Sequence, residues 1–241
     1  RVCKKYSNTT TYGMQHAHFL ASHTIYTITD RERDSRIPIP DSFITWGEHY
    51  KRIFLANNTL PESYVLPLGN PVYILENKIS ESNKPIKKVL WCLTTKECMQ
   101  EEWKLIREVL RTDEFNQITI RLHPLAHIAA QEVENLIGDE IHFQFCKEST
   151  IQEAVDKNDL ILVSAHSTTF LDAAVAGKPC IRLITKFWDG NQPIKLNGIL
   201  SVKSKKEFMD GMSNLASLVT IEENKELELS SHKWDNFLKI C

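Results

Sequence analysis

Two short stretches of the sequence carry side chains that could bind an anion and place a hydrogen-bond donor beside it. His123-Pro124 and Ser167–Thr169 each follow an apolar run that predicts a buried strand, and each precedes a helical pattern. Hydroxyl and backbone N–H groups at the start of a helix bind anions. A histidine in the neighbouring turn could stabilise charge on a leaving phosphate, and proline fixes the turn. The two stretches therefore predict a nucleotide site.

Other polar residues near these stretches are weaker candidates for the same site. His166 adjoins the Ser/Thr stretch. Glu148 and Ser149 end the third predicted strand, where they could reach a ribose or a base. Arg121 is expected on the other face of its strand, where a salt bridge is its simplest role.

Each candidate also has a purely structural interpretation. His123 could be a core histidine with satisfied hydrogen bonds, and one hydroxyl of the Ser/Thr stretch could be the N-cap of the helix. Capping and phosphate binding can coexist, because several N–H groups at a helix start have no intrahelical partner. For the similar turn at Thr94 and Thr95, with Glu97 as a capping-box partner, capping is the favoured interpretation.

The elements that must position these residues form a regular β–α alternation. Strands are predicted at 88–93, 117–122, 141–146, 159–164 and 180–184, and helices at about 96–111, 127–137, 149–157 and 168–176. Such alternation predicts a parallel sheet with right-handed crossovers. In such a sheet, turns at the carboxyl ends of the strands line the ligand crevice, and the stretches that contain His123 and Thr168 are such turns.

The remaining sequence predicts part of a second α/β domain. Strands are expected at about 9–17 and 42–47, and a helix at 48–57. Residues 185–203 are expected to contain turns at Asp189–Asn191 and Asn197-Gly198, followed by a helix at about 204–216. The pattern therefore divides the chain into a first α/β part at 1–75, a linker at 76–88, a β–α domain at 89–222 and a helix at 223–241.

Composition excludes several functional classes. The chain of 241 residues has a formal net charge of -2, which argues against bulk nucleic-acid binding. Its six cysteines lack paired metal-ligand spacing, which favours free thiols in a reducing cytosol. No apolar run is long enough for a membrane span. The sequence has no G-x-G-x-x-G, P-loop, G-x-S-x-G or Asp-x-Asp motif. Because it begins at Arg1 without a methionine, we expect a piece of a longer protein.

Several motifs resemble those of GT-B glycosyltransferases that build bacterial surface polysaccharides. Arg121–Pro124 and His166–Ala173 resemble the HP and Ser/Thr motifs of capsule and O-antigen Kdo transferases and polysialyltransferases, and more distantly of CDP-glycerol polyol-phosphate transferases. Further similar segments are Tyr12–His16, Pro40-Asp41, Trp46–Glu48, Gly69–Pro71 and Gly177–Pro179. The resemblance covers roughly residues 10–185, with Ala17 where such chains often carry glycine.

The resemblance implies a GT-B-like fold and transfer of an acidic sugar, Kdo or a sialic-acid type, from a CMP-activated donor. In that fold, residues 1–75 would be the C-terminal part of the acceptor-side domain and 89–222 the nucleotide-sugar (donor) domain. The helix at 223–241 would pack back on the first domain. His123, with Pro124, would assist departure of the CMP phosphate, and Ser167, Thr168 and Thr169 would bind that phosphate. His16 and Glu48 are the available candidates for the general base. No metal and no cofactor beyond the donor substrate is implied.

The expected partners are a nucleotide-sugar donor and a glycan or lipid-linked acceptor, without nucleic acid. The expected location is the cytoplasm, with peripheral association at the inner face of the membrane as an option. One alternative is a UDP- or CDP-donor transferase, including the CDP-polyol type, or a sugar-nucleotide epimerase of the same fold. An alternative of another class is a non-catalytic nucleotide-binding module.

Overall fold

The chain divides into two compact units in the computed structural model. The first unit comprises Arg1–Glu76 with Glu223–Cys241, and the second comprises Asn77–Glu222. The structure describes residues 9–16, 27–31, 39–71, 85–112, 114–124, 126–186, 198–218, 233–234 and 237–238. Most of the predicted linker and most of the predicted C-terminal helix lie outside these ranges.

The first unit contains a small parallel sheet with the strand order β1-β2-β3. Its elements are β1 (Tyr12–Met14), β2 (Ser42–Ile44), helix α1 (Glu48–Ala56), a 3-10 turn (Glu62–Tyr64) and β3 (Val65–Leu66). Phe54 of α1 is buried and stacks on Phe43 of β2, with ring centroids 4.6 Å apart. Near the C-terminus, the Trp234 indole donates a hydrogen bond of 3.2 Å to the Gly69 carbonyl. Phe237 packs edge-on against Tyr12.

The described residues of the second unit form a six-stranded parallel sheet, with the strand order β6-β5-β4-β7-β8-β9, and the helices that connect its strands. Its elements are β4 (Lys88–Leu93), α2 (Lys96–Leu110), β5 (Gln117–Leu122), α3 (Ala130–Ile137), β6 (Gln144–Phe145), α4 (Ile151–Asp156), β7 (Leu160–Ser164), α5 (Thr169–Val175), β8 (Cys180–Leu183), β9 (Ile199–Val202) and α6 (Lys205–Leu218). This is the doubly wound order in which strand progression reverses between the first and fourth strands. The reversal lies between β4 and β7.

Both faces of this sheet are buried, which explains why its central strands are continuously apolar. Trp91, Ile120 and Leu162 belong to a core that includes residues of α2, α3 and α6. Leu90 and Ile161 have the opposite parity along their strands and are also fully buried. Helices α4 and α5 pack on each other, and α5 packs on β7 and β8. This layering leaves the carboxyl ends of the central strands accessible to a ligand.

The predicted α/β fold is confirmed, whereas several element boundaries differ. The bounds of β4 and β5 are those predicted from sequence. β6 is reduced to Gln144–Phe145, since only these two residues pair with Thr119 and Ile120 of β5. Strand β9, which pairs in parallel with β8, was not predicted; it begins directly after the turn expected at Asn197-Gly198. β3, a two-residue strand that precedes Pro67, was also not predicted.

Candidate functional site

A cavity of about 270 Å³ opens at the point where the strand order reverses. The ends of β4 and β5, the start of α4 and the turn into α5 contribute its walls. The lining residues are Cys92, Leu93, Thr94, Arg121, Leu122, His123, Pro124, Ile151, Ser167, Thr168, Thr169 and Asp172. The two stretches singled out from the sequence therefore meet in one cavity.

His123 lies immediately beyond the end of β5. Its backbone N–H donates to the Leu93 carbonyl at 2.9 Å, which continues the pairing of β5 with β4. Its own carbonyl accepts from the N–H of Ala126 at 2.9 Å, so the chain turns at Pro124. His123 is solvent-exposed, which argues against the core-histidine interpretation. The backbone thus presents the imidazole at the cavity without burying it.

The Ser/Thr turn is built by short-range hydrogen bonds after β7. The Ser167 N–H donates to the Ser164 carbonyl at 2.9 Å, and the Ser167 hydroxyl accepts from the Thr169 N–H at 3.2 Å. Thr168 occupies the N-cap position of α5 but makes no side-chain capping bond. The Thr168 side chain therefore lines the cavity without the role that an N-cap threonine usually has.

The corresponding turn after β4 has the capping role that the sequence favoured, but one residue later. Thr95 is the N-cap of α2, and its hydroxyl accepts from the Cys98 N–H at 3.2 Å. Glu97 is consequently not at the third helical position, so the proposed capping box with Thr94 is wrong. Thr94 lines the cavity instead.

Arg121 lies in the cavity wall together with His123, so its assignment to the opposite strand face was wrong. Residues two apart along a strand point to the same face. Nor does Arg121 form the expected salt bridge with any described residue. It donates to the Glu148 carbonyl at 2.9 Å and the Cys146 Sγ at 3.1 Å, and makes a longer contact of 3.4 Å to the Ser149 carbonyl.

Glu148, Ser149 and His166 lie outside the cavity lining. The Glu148 carboxylate pairs with Lys157 at 2.9 Å and accepts from the Cys146 thiol at 3.1 Å. These bonds, that of Lys157 first, lower the pKa of Glu148 to about 2. The Ser149 hydroxyl donates to Glu153 at 3.0 Å. His166 is exposed on the turn before Ser167. The side chains of Glu148 and Ser149 thus stabilise the loop that enters α4.

His16 and Glu48 belong to the first unit and the cavity residues to the second. His16 follows the carboxyl end of β1 and is exposed. Glu48 is half-buried at the first position of α1, after Gly47, whose φ of 114° favours glycine. The Gln15 side chain accepts a 2.8 Å bond from the Trp46 N–H and so ties the ends of β1 and β2 together. Both candidate bases therefore follow the carboxyl ends of parallel strands in the small sheet, His16 after β1 and Glu48 after β2.

Sequence reasoning missed two lining residues of chemical interest, Asp172 and Cys92. Asp172 is 8% exposed, and its Oδ1 accepts from the Gln152 amide at 3.1 Å. Its spacing of four from Thr168 on a helix was a usable signal, since such residues share a face. Burial raises the pKa of the Cys92 thiol far above its ordinary value, so this thiol stays neutral.

Within the described ranges, no group of three or more His, Cys, Asp or Glu residues could hold a metal ion. The same part of the chain has no helix of sufficient length and hydropathy to cross a membrane.

The charged and titratable groups that line the cavity are Arg121, His123 and Asp172, besides the Cys92 thiol.

No protein-family model matches the chain, and no curated protein matches it in sequence. Among solved structures, it is similar to a glycosyltransferase from Rickettsia africae, with a TM-score of 0.59, 13% identity and coverage of 99% of this chain and 72% of that one. A protein named as a UDP-N-acetylglucosamine 2-epimerase, from Listeria monocytogenes, has a TM-score of 0.57 at 12% identity. That match covers 83% of this chain and 58% of the epimerase.

A further similar structure is a TarM variant from S. aureus in complex with fondaparinux, alpha-GlcNAc-glycerol and UDP. Its TM-score is 0.50 at 14% identity, over 98% of this chain and 49% of that one. The chain thus spans about half of the length of TarM and of the epimerase. At these identities the similarity establishes the fold alone, which is α/β and GT-B-like, with a Rossmann-type parallel-sheet domain and part of a second α/β domain.

Proposed function

We propose that this chain is the donor-binding half of a nucleotide-sugar glycosyltransferase, together with part of its acceptor domain. The observation that carries the proposal is the cavity at the strand reversal, where His123 and the Ser167–Thr169 turn come together. Ligands of open α/β sheets bind at such a reversal. The volume of about 270 Å³ is near the lower limit for small-molecule pockets, which suits a nucleotide rather than a whole donor and acceptor.

The lining residues suggest how the leaving nucleotide would be stabilised. When the bond from the anomeric carbon to the phosphate oxygen breaks, negative charge develops on that phosphate. Hydrogen bonds from His123 and from the Thr168 and Thr169 groups would stabilise this charge in place of a metal ion. The acceptor hydroxyl would attack the anomeric carbon and lose its proton to a base, for which His16 and Glu48 of the first unit remain the candidates.

For the donor, we propose a CMP-activated acidic sugar of the Kdo or sialic-acid type. The support is the likeness of Arg121–Pro124 and His166–Ala173 to the motifs of bacterial surface-polysaccharide transferases. A UDP donor is the second candidate, because UDP is the nucleotide named for the TarM complex and the epimerase. CDP donors, including CDP-polyols, and epimerase chemistry belong to the same alternative.

The proposed partners are the donor and a glycan or lipid-linked acceptor, with no additional cofactor. A cytoplasmic location, with peripheral association at the inner membrane face as an option, would suit these substrates. The alternative of a non-enzymatic class is a nucleotide-binding module without catalytic activity. It predicts that the complete protein binds nucleotide without turnover in the presence of acceptor.

Calorimetric titration with CMP, UMP, CDP and UDP tests the donor assignment. The proposal predicts that CMP binds most tightly, with one site per chain. Tighter binding of UDP or CDP than of CMP would favour the second candidate, a UDP or CDP donor. No binding of any of the four nucleotides would contradict a nucleotide site in this cavity.

Turnover tests the enzymatic part of the proposal. In the complete protein, His123→Ala should lower kcat by about 100-fold or more, the usual loss when one charge-stabilising donor is removed. The matched control is His142→Ala, because His142 is exposed and lies outside the cavity lining. Full donor turnover by the His123→Ala protein would contradict the proposed role.

A further inference from the structure

Arg121 is the cationic residue of the cavity that the proposed mechanism leaves without a role. It is the penultimate residue of β5, and its Cα lies opposite that of Cys92 in the sheet. Because it precedes His123 by two positions, both residues face the same side of the sheet. Arg121 is half-buried, and its side chain contributes to the wall that His123 completes.

The guanidinium of Arg121 is held by neutral groups. Nη1 donates to the Glu148 carbonyl at 2.9 Å and to the Cys146 Sγ at 3.1 Å. Nη2 donates to the Ser149 carbonyl at 3.4 Å. These contacts orient the guanidinium plane without neutralising it. Of the five guanidinium hydrogens, one on Nη2 and the one on Nε are left over.

The nearby carboxylates have other partners. Glu148 pairs with Lys157 at 2.9 Å, and Asp172 accepts a bond from Gln152 at 3.1 Å. Within the described ranges, no carboxylate oxygen lies within 4.0 Å of an Arg121 nitrogen, whereas seven other lysine and arginine side chains form such ion pairs. The positive charge of Arg121 is thus directed to a partly enclosed cavity without a protein counter-ion, an arrangement complementary to an anionic ligand.

We propose that Arg121 binds the phosphate of the nucleotide, as the cation that complements the hydroxyl groups of the Ser167–Thr169 turn. This inference rests on the proposed function and names a residue that the motif resemblance does not assign to the phosphate. A guanidinium donates two parallel hydrogen bonds to phosphate oxygens, and a preoriented one loses little freedom on binding. The carbonyl and thiol contacts supply that preorientation.

The test compares ligands with and without phosphate on the same variants. CMP and cytidine are titrated calorimetrically into wild type, Arg121→Gln and Arg121→Lys; UMP and uridine are used instead if uridine nucleotides bind more tightly. Arg121→Gln should weaken CMP binding by about tenfold or more, as expected for loss of a charged hydrogen bond, and leave cytidine binding unchanged. Arg121→Lys keeps the positive charge but cannot donate the two parallel hydrogen bonds. Its affinity for CMP should therefore lie between those of the wild type and Arg121→Gln.

Lys178→Gln is the matched control. Lys178 is also a cation held by backbone carbonyls, those of Asp156 at 3.0 Å and Asn158 at 2.8 Å, but it does not line the cavity. Its replacement removes the same charge and the same type of anchor, and should leave both titrations unchanged. Equal weakening of CMP and cytidine by Arg121→Gln would overturn the proposal, because it would mean that Arg121 only supports the loop at 148–149.

Inorganic pyrophosphate separates this inference from the proposed function. It should raise the Tm of the wild type and of Lys178→Gln, but not that of Arg121→Gln. If nucleotides fail to bind while pyrophosphate stabilises the chain through Arg121, the nucleotide function fails and the anion site remains. If nucleotides bind equally well to wild type and Arg121→Gln, the function remains and the inference fails. If neither ligand binds, both are overturned.

Discussion

Glu102 is a fully buried carboxyl group in the second unit, on the inner face of α2. The Trp91 indole donates to its Oε2 at 3.0 Å, and the Ser164 hydroxyl faces the same group. Burial raises the pKa of Glu102 to about 7, although both of these contacts oppose the shift. The protonated form is therefore the one that the fold stabilises. Ser164 ends β7, and the turn that lines the cavity follows it.

Because the pKa of Glu102 is raised, we expect the free energy of unfolding to fall as the pH rises from about 4.5 to about 7. In that interval the unfolded chain releases the proton that the folded chain retains, at a cost of up to about 1.4 kcal/mol per pH unit and roughly 3 kcal/mol in total. Glu102→Gln is permanently neutral and removes this contribution. Urea unfolding should show the variant gaining roughly 3 kcal/mol on the wild type across the interval.

Glu101→Gln is the control for this pH dependence. Glu101 lies on the same helix, and its bond from Lys104 lowers its pKa. A lowered pKa stabilises the folded chain above the pKa of the unfolded carboxyl, and this stabilisation is lost as the pH falls. The pH dependence of the free energy of unfolding that Glu101→Gln removes therefore has the opposite sign to that of Glu102. A Glu102→Gln profile parallel to that of wild type would contradict the assignment of a raised pKa to Glu102.

At the residue scale, sequence located the candidate site but did not predict all of its walls. His123 and the Ser167–Thr169 stretch could be predicted because turn residues after apolar strands are recognisable in a β–α alternation. Arg121 was misplaced because the two-residue period of a strand was misapplied across its end. Asp172 could have been found from its spacing of four from Thr168, which places both residues on one helix face, but a lone carboxylate within a helix has no motif that draws attention to it.

At the scale of elements, the turns after β4 and β7 have similar sequences and different uses. Thr95 caps α2 through a bond from the Cys98 N–H, whereas Thr168 makes no capping bond to α5. The difference follows from backbone conformation. Thr95 has the extended φ and ψ, −137° and 160°, of an ordinary N-cap, while Thr168 is helical at −76° and −12°.

The two threonines therefore predict opposite outcomes for one type of substitution. Thr95→Ala should lower the free energy of unfolding by about 1 kcal/mol and leave nucleotide binding unchanged. Thr168→Ala should change stability by less than about 0.5 kcal/mol and weaken nucleotide binding about three- to tenfold. Urea unfolding and calorimetry on both proteins measure the four values. Reversed effects would show that the turn after β7 is structural.

The sequence predicts the bounds of central strands well and those of edge strands poorly, for a physical reason. Central strands such as β4 and β7 are buried on both faces, so their apolar runs coincide with their hydrogen-bonded length. Strand β6 lies at one edge of the sheet, where pairing, not burial, fixes its length, and Ile141 is buried although it precedes the strand. β9 lies at the other edge, and only its last residue, Val202, is fully buried. Neither edge strand could be delimited from its residue pattern.

At the scale of the whole molecule, all residues that line the cavity belong to the second unit. This unit also has a continuous hydrophobic core, with Trp91, Ile106 and Phe208 fully buried. A compact unit with a core of its own could in principle fold alone. The nucleotide site should then not depend on the first unit.

A protein limited to residues 77–222 tests this independence. We expect it to unfold cooperatively in urea and to bind the same nucleotide as the complete chain, with the same stoichiometry and a similar Kd. The same fragment with His123→Ala and Thr168→Ala is the control, and it should fold but bind weakly. A folded 77–222 protein that fails to bind would mean that the first unit contributes to the nucleotide site.

A crystal structure of the chain with its tightest-binding nucleotide would locate the site and show which residues contact the phosphate. We predict that the nucleotide occupies the cavity where the strand order reverses, with its phosphate within hydrogen-bond distance of the Ser167–Thr169 turn, His123 and Arg121. A nucleotide bound elsewhere, or bound in this cavity with its phosphate directed away from these groups, would contradict the account.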